Sequence, residues 1–326
     1  MAMEYNTLGN SGLKVSRLAF GSWLTFEKGG LGNARTMVDM ALDQGINLLD
    51  TADIYDFGVA EEFLGQAISG RRRQNMVIAS KVYFPMSDDP NDRGLSRKHI
   101  FESIDNSLRR LQTDYLDLYQ CHRFDPLVPL AETVTAMGDL IRSGKLLYWG
   151  TSCWSADELR QTVALCRELG QPAPISEQPP YNMVSRQIED EVMPACSELG
   201  IGLLNWSPLA QGFLCGKYGF QKALPNQSRA AAKQIRGGFL DQILDRAEAF
   251  QTLENLQAVA NDSSLDLPTL ALAWCLRKPG ISAVLLGASK PEQLQQNLQA
   301  ADVVWSAELD QACEKALSGH PVVKSS

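Results

Sequence analysis

No run of 18 apolar residues occurs anywhere in the 326 residues, so no segment is expected to enter a membrane. Histidine is scarce. The three present, His99, His122 and His320, lack metal-ligand spacing, and no metal site is expected. The seven cysteines are odd in number, scattered and without a CxxC pair. That reads as reduced thiols in a cytoplasmic protein, not a disulfide framework. Positive charge is short too. Lys and Arg number 30 against 38 Asp and Glu, a net charge of −8, and no basic stripe offers itself to nucleic acid. The one dense basic run, Arg71-Arg72-Arg73, reads as the cationic end of a helix. The opening MAMEYNTLGNSGLKVS has no charged segment followed by an apolar one, so no secretory leader is expected. A GxGxxG after the first strand is also missing. GGLGNAR (29–35) fails the spacing, which counts against a doubly wound dinucleotide fold.

What is present is ordinary globular material, 44% hydrophobic and 21% charged, enough to bury a large core. Short apolar runs alternate with amphipathic segments of helical length. RLAF (17–20), INLLD (46–50), MVIAS (76–80), YLDLYQ (115–120), LLYWG (146–150), PISEQ (174–178), IGLLNW (201–206) and AVLLG (283–287) are nearly continuous apolar runs. Strands buried on both faces of a parallel sheet look like this. Helices are expected over 34–44, with Met37, Met40, Ala41 and Gln44 on one face, and over 96–111, capped by Ser96. Another is expected over 155–170, opened by a Ser155/Glu158 capping box, and two more over 240–261 and 268–277. Gly45, Gly144 and Gly200 each stand just before a strand. Eight strands alternating with helices predict a (β/α)8 TIM barrel. An N-terminal β-hairpin turning at NSG (10–12) precedes it. No linker-like shift in composition divides the chain, so residues 1–326 read as one domain. Residues 207–239, after the seventh strand, form a long loop of little periodicity, and such a loop is usually functional.

In such a barrel chemistry gathers where the strands end. The exits carry Asp50 with Tyr55 close behind, Lys81, His122, Ser152, Gln178, Trp206 with Ser207, and Ser289. Each residue alone has a plain structural reading, but the fold would bring all of them to one pocket. Together they suit proton transfer coupled to hydride transfer. A free tyrosine, with a pKa of about 10, is a poor acid at neutral pH. A neighbouring ammonium such as Lys81 favours the phenolate and is expected to lower that pKa. Asp50 would hold the lysine charged. His122 would donate a hydrogen bond to a carbonyl oxygen. Such a set would suit a carbonyl reductase that works without a metal.

DTADIY, the lysine after MVIAS, the histidine after YLDLYQ, GTSCWS, NWSPLAQGFLCGKY and LLGASKPEQLQQN resemble the aldo-keto reductase superfamily. Within it, the likeness is to the voltage-gated potassium channel β subunits and their bacterial and plant relatives. It runs from about residue 4 to about residue 315. It implies a catalytic tetrad at Asp50, Tyr55, Lys81 and His122. The animal channel subunits carry asparagine where His122 stands, so this chain follows the ordinary reductases there. The resemblance also implies NADPH/NADP+ as cofactor. Ser152, Gln178 and Trp206 fall around the nicotinamide. Ser207, Leu209, Gly212 and Lys217 match the pyrophosphate loop, and Arg229, Ser289, Gln293, Gln296 and Asn297 the adenosine end. Ser22, Trp23, Pro208, Gln211 and Gly287 are implied as further cofactor contacts. Trp23, Tyr55, Tyr83, Phe84 and His122 would line a pocket for a small aldehyde or ketone.

Two departures stand out: Cys153 occupies a position that is asparagine or arginine in the relatives, and Lys290 replaces a neutral residue beside the expected 2′-phosphate site. A homotetramer is a further expectation of the resemblance. Two other readings stay open, a redox-sensing channel subunit that hardly turns over and a Schiff-base aldolase built on Lys81.

Overall fold

The computed structural model describes residues 3–24, 30–224 and 239–318. The chain opens with an antiparallel hairpin, β1 (Tyr5–Thr7) and β2 (Lys14–Ser16), joined through the NSG segment. Eight strands follow: β3 (Leu18–Gly21), β4 (Leu48–Asp50), β5 (Val77–Val82), β6 (Leu116–Cys121), β7 (Leu146–Thr151), β8 (Ser176–Glu177), β9 (Gly202–Asn205) and β10 (Ile281–Leu286). Each pairs in parallel with the next, and β10 also pairs with β3, so the sheet closes into a barrel. The helices are α1 (Gly30–Asp43), α2 (Val59–Ile68), α3 (Arg97–Leu111), α4 (Leu130–Arg142), α5 (Ala156–Glu168), α6 (Val192–Leu199), α7 (Phe239–Leu244), α8 (Ala247–Asp262), α9 (Leu267–Leu276), α10 (Pro291–Leu298) and α11 (Ala307–Leu317). This is the (β/α)8 barrel that the strand pattern predicts. Among the described residues no helix is long and apolar enough to cross a membrane.

The continuous apolar strands serve two cores at once. Alternate side chains point inward, since a strand's side chains have period two. Ala19, Leu48, Val77, Ala79, Leu118, Leu204, Ala283 and Leu285 fill the barrel, together with Leu8 and Val15 from the hairpin region. Their neighbours Leu18, Phe20, Leu49, Ile78 and Tyr119 face outward onto helix residues such as Met37, Ile104, Met137, Leu159 and Trp274. Each fully buried side chain of this size contributes about 1.5–3 kcal/mol. The hairpin therefore acts as a plug at the amino-terminal end of the barrel. The plug sits close: a Cβ on Gly202 would lie 2.5 Å from the Gly9 nitrogen.

The helix signals hold where a cap is present. Ser96 accepts from the His99 N–H at 3.2 Å, and Ile100, Ile104, Leu108 and Leu111 of α3 are buried. Ser155 and Glu158 form the reciprocal capping box of α5. Three expectations need correction. Gln44 lies past the end of α1 and is exposed. The segment 240–261 is not one helix. It breaks between α7 and α8, where Arg246 is extended at φ −114°, ψ 115°. The arginine triplet does not cap a helix. Arg71 reaches Asp39 and Asp43 on α1 at 2.5 and 3.1 Å, and Arg73 binds Asp117 at 2.6 Å, so these arginines tie neighbouring elements together.

Candidate active site

Inward alternation carries the strand columns Leu48–Asp50, Ala79–Lys81 and Leu118–Gln120 from apolar to polar toward the carboxyl-terminal end. Lys81 pairs with Gln120 in register, and Asp50 with Ala79. Asp50 and Lys81 are thus the last inward residues within their strands, not residues just beyond them. They roof the inner core. Lys81 is fully buried. Its ammonium donates to Asp50 Oδ2 at 2.6 Å, to the Thr51 carbonyl at 2.7 Å and to Tyr55 Oη at 3.2 Å. Asp50 Oδ1 accepts from Gln178 Nε2 at 2.8 Å and from Gln120 Nε2 at 3.3 Å. Burial alone would neutralise such a lysine. The Asp50 charge and the hydrogen bonds to Asp50 and Tyr55 outweigh burial, and the Lys81 pKa is raised, so it stays an ammonium.

Tyr55 sits on a tight turn, Tyr55–Gly58, in which Asp56 and Phe57 are left-handed at φ 50° and 49°. Each such non-glycine residue costs about 1–2 kcal/mol. Both ends of the turn are anchored. Asp53 Oδ1 accepts from the Ile54 N–H at 2.6 Å, and Oδ2 from Ser103 Oγ at 2.9 Å. At the far end Arg110 donates to Glu61 at 2.7 Å and packs on Gly58, where a Cβ would meet its Cδ at 2.8 Å. Burial, reinforced by Glu61, pushes the Asp53 carboxyl up to about 7. The expectation for Tyr55 itself is corrected. Burial raises its pKa above 10 and wins over Lys81, which pulls it down. A phenolate stripped of most of its solvent costs more than one ammonium at 3.2 Å returns.

His122 follows β6, its N–H bonded to the Val82 carbonyl at 3.0 Å. Its ring lies 5.9 Å from that of Tyr55 and 4.9 Å from that of Phe84. Nδ1 is buried with no hydrogen-bond partner among the described residues. Burial, then the charges of Lys81 and Arg123, hold the imidazole well below pH 6.5, so it is neutral. Trp23 stands 6.4 Å from Tyr55 and 6.3 Å from Trp206, and Tyr83 stands 5.3 Å from Phe84, ring centre to ring centre. Asp50, Tyr55, Lys81 and His122 therefore converge, with an aromatic wall beside them.

The residues matched to the cofactor are less uniform. Ser152 Oγ donates to the Gln178 carbonyl at 2.8 Å, while Ser22 Oγ is turned to Thr51 at 2.8 Å. After β9, Ser207, Ala210, Gln211 and Gly212 have positive φ, and Ser207 Oγ and Gln211 Oε1 are buried without partners. Left-handed backbone with a free hydroxyl, and an amide whose two ends exchange by a flip, can hold an anion. Pro208 is buried, Leu209 half-buried and Lys217 exposed. Ser289 bonds Gln293 through both its N–H and its hydroxyl, at 3.0 and 3.1 Å. Gln296 donates to Asp266 at 2.6 Å. Gly287 and Lys290 are exposed and Asn297 is buried. Arg229 lies outside the described residues.

Some participants escaped the sequence reading. Gln120 is a polar inward position in an apolar strand, and that was a usable signal. Glu177 is wholly buried in β8. It accepts from Thr151 Oγ1 at 2.5 Å and from the Trp154 N–H at 3.2 Å, and burial pushes it up to about 7. It holds the loop in which Cys153 adopts φ 58°.

The family model for the aldo/keto reductase family matches residues 17–317. The chain is 42% identical over 306 residues to a probable voltage-gated potassium channel subunit beta of Arabidopsis thaliana, which covers 93% of this chain and 92% of that protein. It is 40% identical over 306 residues, with the same coverage, to a probable voltage-gated potassium channel subunit beta of Oryza sativa subsp. japonica.

Proposed function

The chain belongs to the aldo/keto reductase family, and from that premise we propose that it reduces aldehydes or ketones to alcohols with NADPH, Tyr55 giving the proton. The observation that carries this reading is the buried Lys81 ammonium, tied to Asp50 at 2.6 Å and to Tyr55 Oη at 3.2 Å. NADPH, when bound, supplies the hydride. The chain's own residues do the rest. His122, neutral, offers one ring N–H to the carbonyl oxygen and orients it. As negative charge grows on that oxygen, the Tyr55 proton moves to it, and the phenolate left behind faces Lys81. A raised tyrosine pKa suits this order, because the proton stays put until the substrate develops charge. The paired, charged lysine is a poor amine nucleophile, which disfavours the Schiff-base reading. Such acid catalysis contributes about 10²–10⁴-fold.

NADPH is proposed over NADH. Ser207 and Gln211 fit the pyrophosphate, and Ser289, Lys290 and Arg229 would take the 2′-phosphate by charge-assisted bonds. At about 1.5–3 kcal/mol each, two such bonds favour NADPH by roughly a hundredfold or more. Dissociation constants for both cofactors, measured by tryptophan quenching and repeated with Arg229→Ala, test this. Equal affinities, or an undiminished preference in the variant, would overturn it.

The names of the relatives, potassium channel subunits beta, favour a second reading, a regulatory channel subunit; on that reading we propose a cytoplasmic tetramer with slow turnover. Many turnovers per subunit with 4-nitrobenzaldehyde or methylglyoxal support the reductase, and a single burst supports the regulator.

A further inference from the structure

Arg123 follows His122 and shares its surroundings. Its guanidinium carbon lies 5.4 Å from the centre of the Phe84 ring, and that ring packs against His122 at 4.9 Å. Nη1 donates to the His122 carbonyl at 2.5 Å. A guanidinium has five N–H donors, so most of the fork is not consumed there. Other partly buried arginines of this chain hold a carboxylate: Arg73 has Asp117 at 2.6 Å, Arg110 has Glu61 at 2.7 Å and Arg186 has Glu189 at 2.9 Å. Among the described residues Arg123 has no carboxylate partner. Among the described acids, Asp125, Asp50 and Glu177 are committed elsewhere. Asp125 accepts from the N–H groups of Leu95 and Leu127 at 2.9 and 3.0 Å. Asp50 is held by Lys81, and Glu177 by Thr151. The charge of Arg123 is nonetheless felt at Tyr55, His122 and Cys153.

We infer that Arg123 receives the anionic end of the substrate, so that this pocket selects carbonyl compounds carrying a carboxylate. The inference rests on the reductase reading above. The carbonyl lies between Tyr55 and His122, the spacer runs along Phe84, and the carboxylate meets the planar fork. A partly desolvated guanidinium with spare parallel donors is suited to that end of a molecule and not to a neutral one.

The test compares 4-carboxybenzaldehyde with its methyl ester, a pair matched in carbonyl and ring and differing in charge. The acid is expected to exceed the ester in kcat/KM by about ten- to a hundredfold, chiefly through KM. Salt should shrink the ratio. Arg123→Gln should bring it near one, and Arg123→Lys should keep part of it. A ratio near one in the unsubstituted protein, or an unchanged ratio in Arg123→Gln, would overturn the inference. If Arg123→Gln does not fold, the salt dependence of the unsubstituted protein decides. Binding of both compounds, read by tryptophan quenching, separates the two claims. Tighter, Arg123-dependent binding of the acid without turnover keeps the anion site and removes the reductase. Turnover of both with equal affinity does the reverse.

Discussion

At the amino-terminal mouth of the barrel, Leu8 and Val15 close over Ala19, Leu48 and Val77, and Gly9 and Gly202 approach too closely to admit a Cβ on either. At the carboxyl-terminal mouth the strands rise to Asp50, Lys81 and Gln120, and the loops beyond hold Asp56, Phe57, Cys153, Ser207, Ala210 and Gln211 in the left-handed region. Apolar contact without strain stabilises the first end. At the second, left-handed backbone costs about 1–2 kcal/mol per residue and buried charge adds to it, and both persist only because the rest of the barrel holds them. The same eight strands thus separate stability from chemistry along the barrel axis. A substitution at one end should change what a substitution at the other leaves alone.

Lys81→Met is the hardest test of that separation, because it should cross it. It removes the charge facing Tyr55 and leaves Asp50 without its cation. A kcat loss of at least about 10²–10⁴-fold is expected, with a stability loss of about 3–5 kcal/mol from the orphaned carboxylate. Adding Asp50→Asn should recover stability in a thermal melt and no turnover.

Glu177→Gln sharpens the account of the buried acids. The folded carboxyl titrates at about 7 against 4.5 for the free group. Between those values the native state holds the extra proton, so stability falls as pH rises through that window, by up to about 3 kcal/mol. Asp53, also pushed up to about 7, acts in the same sense. The lowered His99 and His122 act in the opposite sense, with stability rising as pH climbs toward 6.5 and level above it. These three are shared by both proteins and cancel in the difference. The Gln variant should therefore be the more stable at pH 8 and lose that advantage by pH 4.5. Parallel curves of melting temperature against pH would contradict the assignment.

Gly202→Ala addresses the plugged end alone. The added carbon would meet the Gly9 nitrogen at 2.5 Å and Leu8 Cδ1 at 2.9 Å. Overpacking of this kind costs about 1–3 kcal/mol. The melting temperature should fall by several degrees while kcat per folded molecule stays put. A lower kcat in the folded fraction would mean that the two ends communicate.

The barrel was legible because strands buried on both faces leave unbroken apolar runs, and its eight strands fall where RLAF through AVLLG place them. The convergence of Asp50, Tyr55, Lys81 and His122 followed from topology, since strand exits share one end. What was not legible depended on burial that sequence does not display. Asp53 and Glu177 look like surface carboxylates until the helices around them are placed. The rise in the Tyr55 pKa needed the desolvation around it, not only the lysine beside it. The break at Arg246 hid in a helical period that continues on both sides. The left-handed run Ala210–Gln211 carries no glycine to announce it, and only Gly212 beside it does.

The central claim is that Tyr55 delivers the proton. Tyr55→Phe keeps the ring against Trp23 and His122 and removes only the hydroxyl. The account predicts that kcat for 4-nitrobenzaldehyde falls by about 10²–10⁴-fold while the Kd for NADPH stays that of the unsubstituted protein. Unsubstituted-like turnover in the Phe variant would contradict it.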